Sequence, residues 1–239
     1  MRALGPVETA GLAVQVVVIA KEPRPGAVKT RLCPPLRPEE AAQLATAALA
    51  DTCRAVVRAP LAGRMIALEG RPGRWLPDGV EVLRQRPGTL GDRLAGALED
   101  AWRLRPLPTL VVGMDTPQID GPLLGAAARA LVAPGVDAVL GPALDGGYWC
   151  IGLRRPVAGL FDTVPMSTVQ TGAAQWARLG ELGLRCASLP QLRDVDEIAD
   201  AVAVAGTAPG TEFALAARLL GLSAGVGASA GDTSSGWSA

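Results

Sequence analysis

Val16-Val-Val-Ile-Ala-Lys-Glu-Pro-Arg-Pro-Gly-Ala-Val-Lys-Thr-Arg-Leu32 begins as a strand and ends as a loop suited to an anion. The unbroken apolar run Val16 to Ala20, within a strand read from Val14 to Ala20, is the pattern of a strand covered on both faces. Pro23, Pro25 and Pro34 stiffen the loop after it, and Gly26 lets the backbone approach a ligand closely. Lys21, Lys29 and Arg31, with the Thr30 hydroxyl, then converge where a di- or triphosphate could lie. Only two of the 23 basic residues are lysines, and both are in this stretch. A compact ammonium acts on phosphate as a point charge, where arginine acts as a planar fork. The competing reading is a solvated, charged connection. The loop is neither a Walker loop nor a dinucleotide-binding glycine fingerprint.

Outward from this stretch, strand-like and helix-like segments alternate. Helical patterns cover Pro38 to Arg58, Leu90 to Leu104, Pro122 to Val132, Thr168 to Leu182, Asp196 to Val204 and Thr211 to Leu220. Extended patterns cover Arg64 to Leu68, Val80 to Arg84, Thr109 to Gly113, Ala138 to Leu140, Gly147 to Leu153 and Arg185 to Leu189. This alternation predicts an α/β fold with three α/β/α layers and a mostly parallel sheet. Ligands on such sheets bind outside the carboxyl ends of the strands, at a topological switch point. Residues 1–13 read as a short leader and 14–222 as a single domain. Residues 223–239 form a small-residue tail that cannot bury enough surface to stay ordered alone.

Composition narrows the chemistry. The chain has no histidine, which excludes Ser-His-Asp and Cys-His nucleophiles and every histidine-ligated metal site. Transfer at a phosphate or glycosyl phosphate, which needs mainly positioning and charge neutralisation, survives that filter best. Basic and acidic residues balance at 23 each, so no basic field for nucleic acid and no polybasic membrane patch is expected. Cys33, Cys53, Cys150 and Cys186 have no C-x-x-C spacing and read as thiols in a reducing compartment. The apolar run before the loop is too short to span a bilayer, and Glu8 and Gln15 interrupt any signal-peptide pattern. A cytoplasmic protein is expected.

Three further segments carry candidate chemistry. Strand Thr109 to Gly113 delivers Asp115 into a turn closed by Pro117, where it could hold a hard divalent cation; a helix cap near Asp120 is the alternative. Gly141-Pro-Ala-Leu-Asp-Gly-Gly-Tyr148 places Asp145 before Gly146 and Gly147, with Tyr148 starting a strand. A plain hairpin explains Asp-Gly but not the second glycine, so this segment reads as a sugar- or acceptor-facing loop, with Asp145 as acceptor or general base. Asp194-Val-Asp196 precedes a helix: Asp196 is an N-cap candidate, and Asp194 could add a second metal contact. Gln85 to Arg93 joins a strand to a helix N-terminus, suited to an anion or the edge of a base.

Taken in order, Ala-Lys-x-Pro-x-Pro-Gly-x-Val-Lys-Thr-Arg-Leu (20–32), Gly-x-Leu-Gly-Asp-Arg-Leu (88–94), Gly-x-Asp-x-Pro (113–117), Gly-Pro-Ala-x-Asp-Gly-Gly-Tyr-Trp (141–149), Ser-Thr (167–168) and Asp-Val-Asp (194–196) resemble one group. It is the bacterial glycosyltransferase-like family often called radical-SAM/selenodomain-associated transferases, and the resemblance spans roughly residues 14–204. It implies a compact GT-A fold of the nucleotide-diphospho-sugar transferase type. It also implies that Lys21, Lys29, Thr30 and Arg31 face the nucleotide phosphates, with Ala20, Gly26, Gln85, Gly88, Leu90, Gly91 and Arg93 on the nucleotide side. Asp115 takes the metal-binding role, joined by Asp194 and Asp196. Asp145 to Tyr148, with Ser167 and Thr168, form the sugar or acceptor side. Thr89 stands where the family usually has an acidic residue, which bears on the base contact. Met166 stands where a Trp commonly precedes Ser-Thr, which points to an altered acceptor pocket.

The expected function is therefore a divalent-metal-dependent glycosyltransferase with a nucleotide-sugar donor and a small-molecule acceptor. Mg²⁺ or Mn²⁺ would bridge Asp115 and the diphosphate, and Lys21 and Lys29 would neutralise the leaving nucleotide. Asp145 would orient or deprotonate the acceptor, which makes Lys29 and Asp145 the candidate catalytic residues. Both ammonium groups are expected to face Asp115 across the diphosphate. A homodimer is compatible with this reading; nucleic acid and membrane are not expected partners. The same fold serves nucleotidylyltransferases of the guanylyltransferase kind, which release pyrophosphate. A non-catalytic nucleotide-binding partner protein is the alternative from another class.

Overall fold

The structure, a computed structural model, describes residues 11–222. The expected tail and most of the expected leader lie outside them. The elements run β1 (Leu12–Lys21), α1 (Pro38–Arg58), β2 (Leu61–Glu69), β3 (Glu81–Arg84), α2 (Leu90–Leu104), β4 (Thr109–Val112), α3 (Gly121–Val132), β5 (Ala138–Pro142), β6 (Tyr148–Leu153), α4 (Thr171–Glu181), β7 (Cys186–Ser188), α5 (Ile198–Thr207) and α6 (Glu212–Leu219), with a 3₁₀ turn at Thr30–Leu32. The strands form one seven-stranded sheet in the order β3-β2-β1-β4-β6-β5-β7. Only β6 runs against its neighbours, β4 and β5. No helix among the described residues is long and apolar enough to cross a membrane.

β1 shows why the sheet is covered on both sides. Val14, Val16, Val18 and Ala20 enter the core that α1 and α3 cover, whereas Val17 enters the core under α2 and α4. Successive side chains point to opposite faces, and each fully buried valine contributes about 1.5–3 kcal/mol relative to exposure. Gln15, wholly buried in this strand, survives there because its amide donates to Arg105 O and to Thr109 Oγ1, both at 3.0 Å. A third core joins the outer face of α1 to α5 and α6, with Leu44 and Phe213 at its centre.

β1 pairs in parallel with β2 on one side and β4 on the other. The chain leaves β1 towards one edge and returns through β4 on the other, so the switch point lies between the carboxyl ends of β1 and β4. Lys21 ends β1, and Asp115 follows β4 by three residues.

Most boundaries shift by one to three residues from the sequence reading, and three of the shifts have a clear local cause. β1 begins at Leu12, whose N–H donates to Pro60 O at 2.7 Å, so the sheet claims the last residues of the expected leader. α4 begins at Thr171 rather than Thr168, because the Thr171 hydroxyl accepts from Thr168 N–H and donates to Pro165 O. Such hydroxyl turns compete with helix. α5 begins at Ile198 with Glu197 at its N-cap, so Asp196 is not the cap. Asp200 accepts from the N–H of Glu197 and fills that role reciprocally.

Candidate functional site

A cleft of about 750 Å³ lies over the β1–β4 switch, within the usual size range of small-molecule sites. Its basic wall is the loop after β1, which contributes Lys21, Lys29, Thr30 and Arg31. Its acidic wall is Asp115 with Asp194 and Asp196, and Asp145, Gly147 and Tyr148 line the far side.

The acidic wall is assembled by long-range contacts. Val195 N–H donates to Asp115 O at 3.0 Å, Thr116 Oγ1 donates to Asp194 Oδ1 at 2.7 Å, and Gln118 Nε2 donates to Arg193 O at 2.7 Å. Segment 193–196 is thereby laid against the turn that carries Asp115. Asp120, not Asp115, caps α3, accepting from Leu123 N–H at 2.7 Å.

Lys29 is the centre of the site. Its side chain is 8% exposed, and Nζ lies 2.8 Å from Asp115 Oδ1 and 3.2 Å from Asp196 Oδ1. A third, very short contact goes to Val195 O. Burial alone would lower its pKa, but Asp115 and then Asp196 outweigh burial and raise it above the ordinary lysine value. The ammonium is charged. Its backbone sits at φ 49, ψ 38, left-handed for a non-glycine residue and the sort of conformation held at functional sites.

Lys21 departs from expectation. Its ammonium lies 3.6 Å from Glu69 and is about half exposed, rather than directed at Asp115. Lys21 and Glu69 are register partners across β1 and β2, so the neighbouring strand places a carboxylate beside it. An exposed pair of this kind is weak and readily exchanged for another partner. Arg31 pairs with Asp196 at 3.4 Å and is largely exposed.

Gln85 and Arg93 line the cleft but are engaged internally. Gln85 Nε2 donates to Ala20 O and Ala67 O, bracing the ends of β1 and β2, and Arg93 Nη1 lies 3.0 Å from Glu69. Ala20 and Leu90 also line the cleft, whereas Gly26, Gly88, Gly91 and Gly146 do not. Gly91 packs α2 against Phe161, since a Cβ there would lie 3.1 Å from the Phe161 Cβ. Gly146, at φ +90, packs against the carbonyl of Val169, which a Cβ would approach to 2.1 Å.

On the far side, Asp145 Oδ1 accepts from Gly147 N–H at 2.8 Å and so shapes its own turn while facing the cleft. Tyr148 hydroxyl is buried without a hydrogen-bond partner, and burial pushes its pKa up. Ser167, at φ 60, and Thr168 complete this wall, joined by Met166 and Val169. Asp194 has its pKa raised to about 6, chiefly by burial, against the Thr116 hydroxyl and with Asp115 and Asp145 adding to the rise.

Sequence reasoning missed Glu69, Thr116 and Met114, whose sulfur accepts from Lys21 N–H at 3.3 Å. Glu69 carried no signal, because its importance depends on strand register. Thr116 lies inside the Gly-x-Asp-x-Pro motif, and a hydroxyl residue next to Asp115 was the available hint.

The donor set fits a hard cation. Two carboxylates and a carbonyl converge on the Lys29 ammonium, and all three are oxygen donors of the kind a hard cation takes. No group of three metal-ligating side chains forms among the described residues, so phosphate oxygens and water would complete the shell.

A mostly parallel sheet with a charged cleft at its switch point defines a fold of the nucleotide-diphospho-sugar transferase type. It is similar to a protein assigned as a nucleotide-diphospho-sugar transferase from Desulfovibrio desulfuricans G20, at TM-score 0.78 and 24% identity over 88% of this chain and 96% of that one. It is also similar to a nucleotidyl transferase from Methanothermobacter thermautotrophicus, at TM-score 0.55 and 17% identity over 80% and 95% of the two chains. A third similar structure is CMP:2-keto-3-deoxy-manno-octonic acid synthetase complexed with CTP, at TM-score 0.52 and 13% identity over 86% and 99%. The chain belongs to the family described as "Uncharacterized protein conserved in bacteria (DUF2064)", whose model matches residues 42–168, more than half of its length. No curated protein matches it in sequence.

Proposed function

We propose that this protein is a transferase that uses a nucleotide-activated sugar with a divalent cation, of the radical-SAM/selenodomain-associated kind. The observation that carries this reading is the position of Lys29 between Asp115 and Asp196, over the β1–β4 switch point. A donor diphosphate would lie between the basic loop and this acidic wall. Mg²⁺ or Mn²⁺, when bound, would supply Lewis-acid neutralisation of the diphosphate. Asp115 and Asp196 would hold it, and Asp194, fixed by Thr116, would set their orientation. Lys21, released from its exposed pair with Glu69, and Lys29 would bind the phosphates and stabilise the departing nucleotide. Asp145, Tyr148, Ser167 and Thr168 would contact the sugar and acceptor, Asp145 with the oxygen not held by Gly147.

A second reading, nucleotidyl transfer from a nucleoside triphosphate, draws support from Asp145. One of its oxygens is committed to the turn, and a phosphate nucleophile arrives deprotonated and needs no protein base. The deciding experiment incubates the protein with nucleotide sugars and, separately, nucleoside triphosphates, each with Mn²⁺ and candidate acceptors. Release of nucleoside diphosphate from a sugar nucleotide supports the first reading. Pyrophosphate release without it overturns that reading in favour of the second, and tight nucleotide binding with no turnover points to a non-catalytic nucleotide-binding partner protein.

A further inference from the structure

We infer that Lys29 is a resident cation that competes with a divalent metal ion for Asp115 and Asp196, so that the metal ion enters together with a diphosphate that takes the ammonium over. This rests on the nucleotide-and-metal reading above and adds the order in which the site is filled.

The Lys29 ammonium is enclosed by oxygens, hydrogen-bonded to Val195 O and Asp196 and ion-paired with Asp115. An ammonium has three N–H donors, and Lys29 has these three oxygen partners. Its side chain is almost wholly removed from solvent. An ammonium 2.8 Å from a carboxylate and a metal ion at about 2.1 Å cannot both occupy the space between these groups. A bare metal ion would therefore have to expel Lys29 from its only described partners, leaving its charge without a counter-ion. A diphosphate changes that balance, since its oxygens can receive the ammonium while others ligate the metal ion.

Two features of Lys29 suit it to this exchange. It is a point charge on a flexible four-carbon stem, which imitates a hard cation where an arginine fork would not; basic residues elsewhere in this chain, Lys21 apart, are arginine. Its left-handed backbone precedes a single 3₁₀ turn and its ammonium reaches Asp115 across the cleft, while the four-carbon stem gives that ammonium the torsional freedom to turn to a diphosphate. Linkage then makes the effect reciprocal: whatever factor the diphosphate contributes to metal binding, the metal ion contributes to diphosphate binding.

The test measures binding, not turnover. Free Mn²⁺ is followed by electron paramagnetic resonance on wild type, Lys29→Gln and Lys29→Arg, each checked for folding by thermal melting. In the same proteins, inorganic pyrophosphate binding is followed calorimetrically without metal. Lys29→Gln should bind Mn²⁺ alone about tenfold tighter or more, roughly 1.4 kcal/mol, and pyrophosphate alone more weakly. Lys29→Arg, which keeps the charge, should leave Mn²⁺ binding weak. A folded Lys29→Gln with Mn²⁺ affinity at or below wild type overturns the proposal, while nucleotide-dependent Mn²⁺ uptake by wild type would leave the proposed function standing. Failure of wild type to take up Mn²⁺ or any of UDP, GDP, CDP and ADP, in every combination, overturns both. A measurement without substitutions uses wild type carrying ¹⁵N-lysine. The Lys29 ammonium signal should move when Mg²⁺ and a nucleoside diphosphate are added together and stay with Mg²⁺ alone; an equal shift with Mg²⁺ alone overturns the proposal.

Discussion

Lys29 Nζ and Asp115 Oδ1, 2.8 Å apart, join the loop after β1 to the turn after β4 across the switch point of the sheet. Parallel pairing of β1 with β4 brings the carboxyl ends of the two strands side by side. Residues 86 positions apart in the chain thus become the opposite poles of one cleft. Neither strand alone makes a site; their adjacency does.

Asp115→Ala removes one of the two carboxylates that hold the positive centre. Turnover measured as nucleoside diphosphate release should fall by about a hundredfold or more. The protein should remain folded, because Asp196 still pairs with Lys29 at 3.2 Å. Full activity in this variant would remove Asp115 from the chemistry.

Lys21 separates structure from function. Its pair with Glu69 is about half exposed, so Lys21→Ala should change unfolding free energy by no more than about 0.5 kcal/mol. If Lys21 leaves Glu69 for the diphosphate, the same variant should raise KM for the donor severalfold. Unchanged KM would confine Lys21 to the sheet edge.

The switch point was legible in the sequence because β1 carries no polar alternation over Val16 to Ala20, and a doubly covered strand implies a parallel sheet. The basic loop was legible from its two lysines, and Asp115 from the strand-and-turn pattern Thr109 to Pro117. The partner of Lys21 was not legible, since only the register of β1 on β2 sets Glu69 beside it. The N-cap alternative for Asp196 fails for a related reason: a carboxylate just before a helix has the local pattern of an N-cap, whereas its partners Lys29 and Arg31 lie more than 160 positions away. Gly88 and Gly91 read as ligand-facing, yet Gly91 serves the packing of α2 on Phe161. Short-range pattern identifies elements well and long-range partners poorly.

Asp51 tests the outer layer. Buried in α1, it accepts from Glu212 N–H at 3.1 Å and Phe213 N–H at 2.7 Å, capping α6 from another helix, and pairs with Arg54. Asp51→Ala should cost about 2 kcal/mol or more by urea unfolding, since two helix-terminal donors lose their acceptor. Activity at saturating substrate should persist in the folded fraction, because Asp51 does not line the cleft.

Gly146 holds the far wall together. At φ +90, with the Val169 carbonyl where a Cβ would lie, Gly146→Ala should cost about 2 kcal/mol or more through backbone strain and a forced shift of the 167–170 loop. That loop carries Thr168 and Val169 into the cleft. Acceptor KM should rise more than donor KM; an equal rise in both would mean that the wall serves no particular substrate.

Asp194 makes a pH prediction whose sign comes from linkage. Burial raises its folded-state pKa from 3.8 to about 6, so between those values the folded protein binds more protons at this position than the unfolded chain. Stability from this group therefore rises as pH falls from about 6 towards 4, and is reduced above that window. Other carboxylates superimpose their own slopes, and a comparison of variants isolates this one. Asp194→Asn keeps an acceptor for the Thr116 hydroxyl and removes the titration. Urea unfolding of both proteins at intervals between pH 4 and 7 should show the variant gaining stability over wild type as pH rises. Parallel curves would mean that Asp194 is ionised throughout, its charge held by the Lys29 ammonium rather than suppressed by burial. Addition of Mn²⁺ with a nucleoside diphosphate should then reduce the difference at neutral pH, because a divalent cation beside Asp115 favours the ionised Asp194.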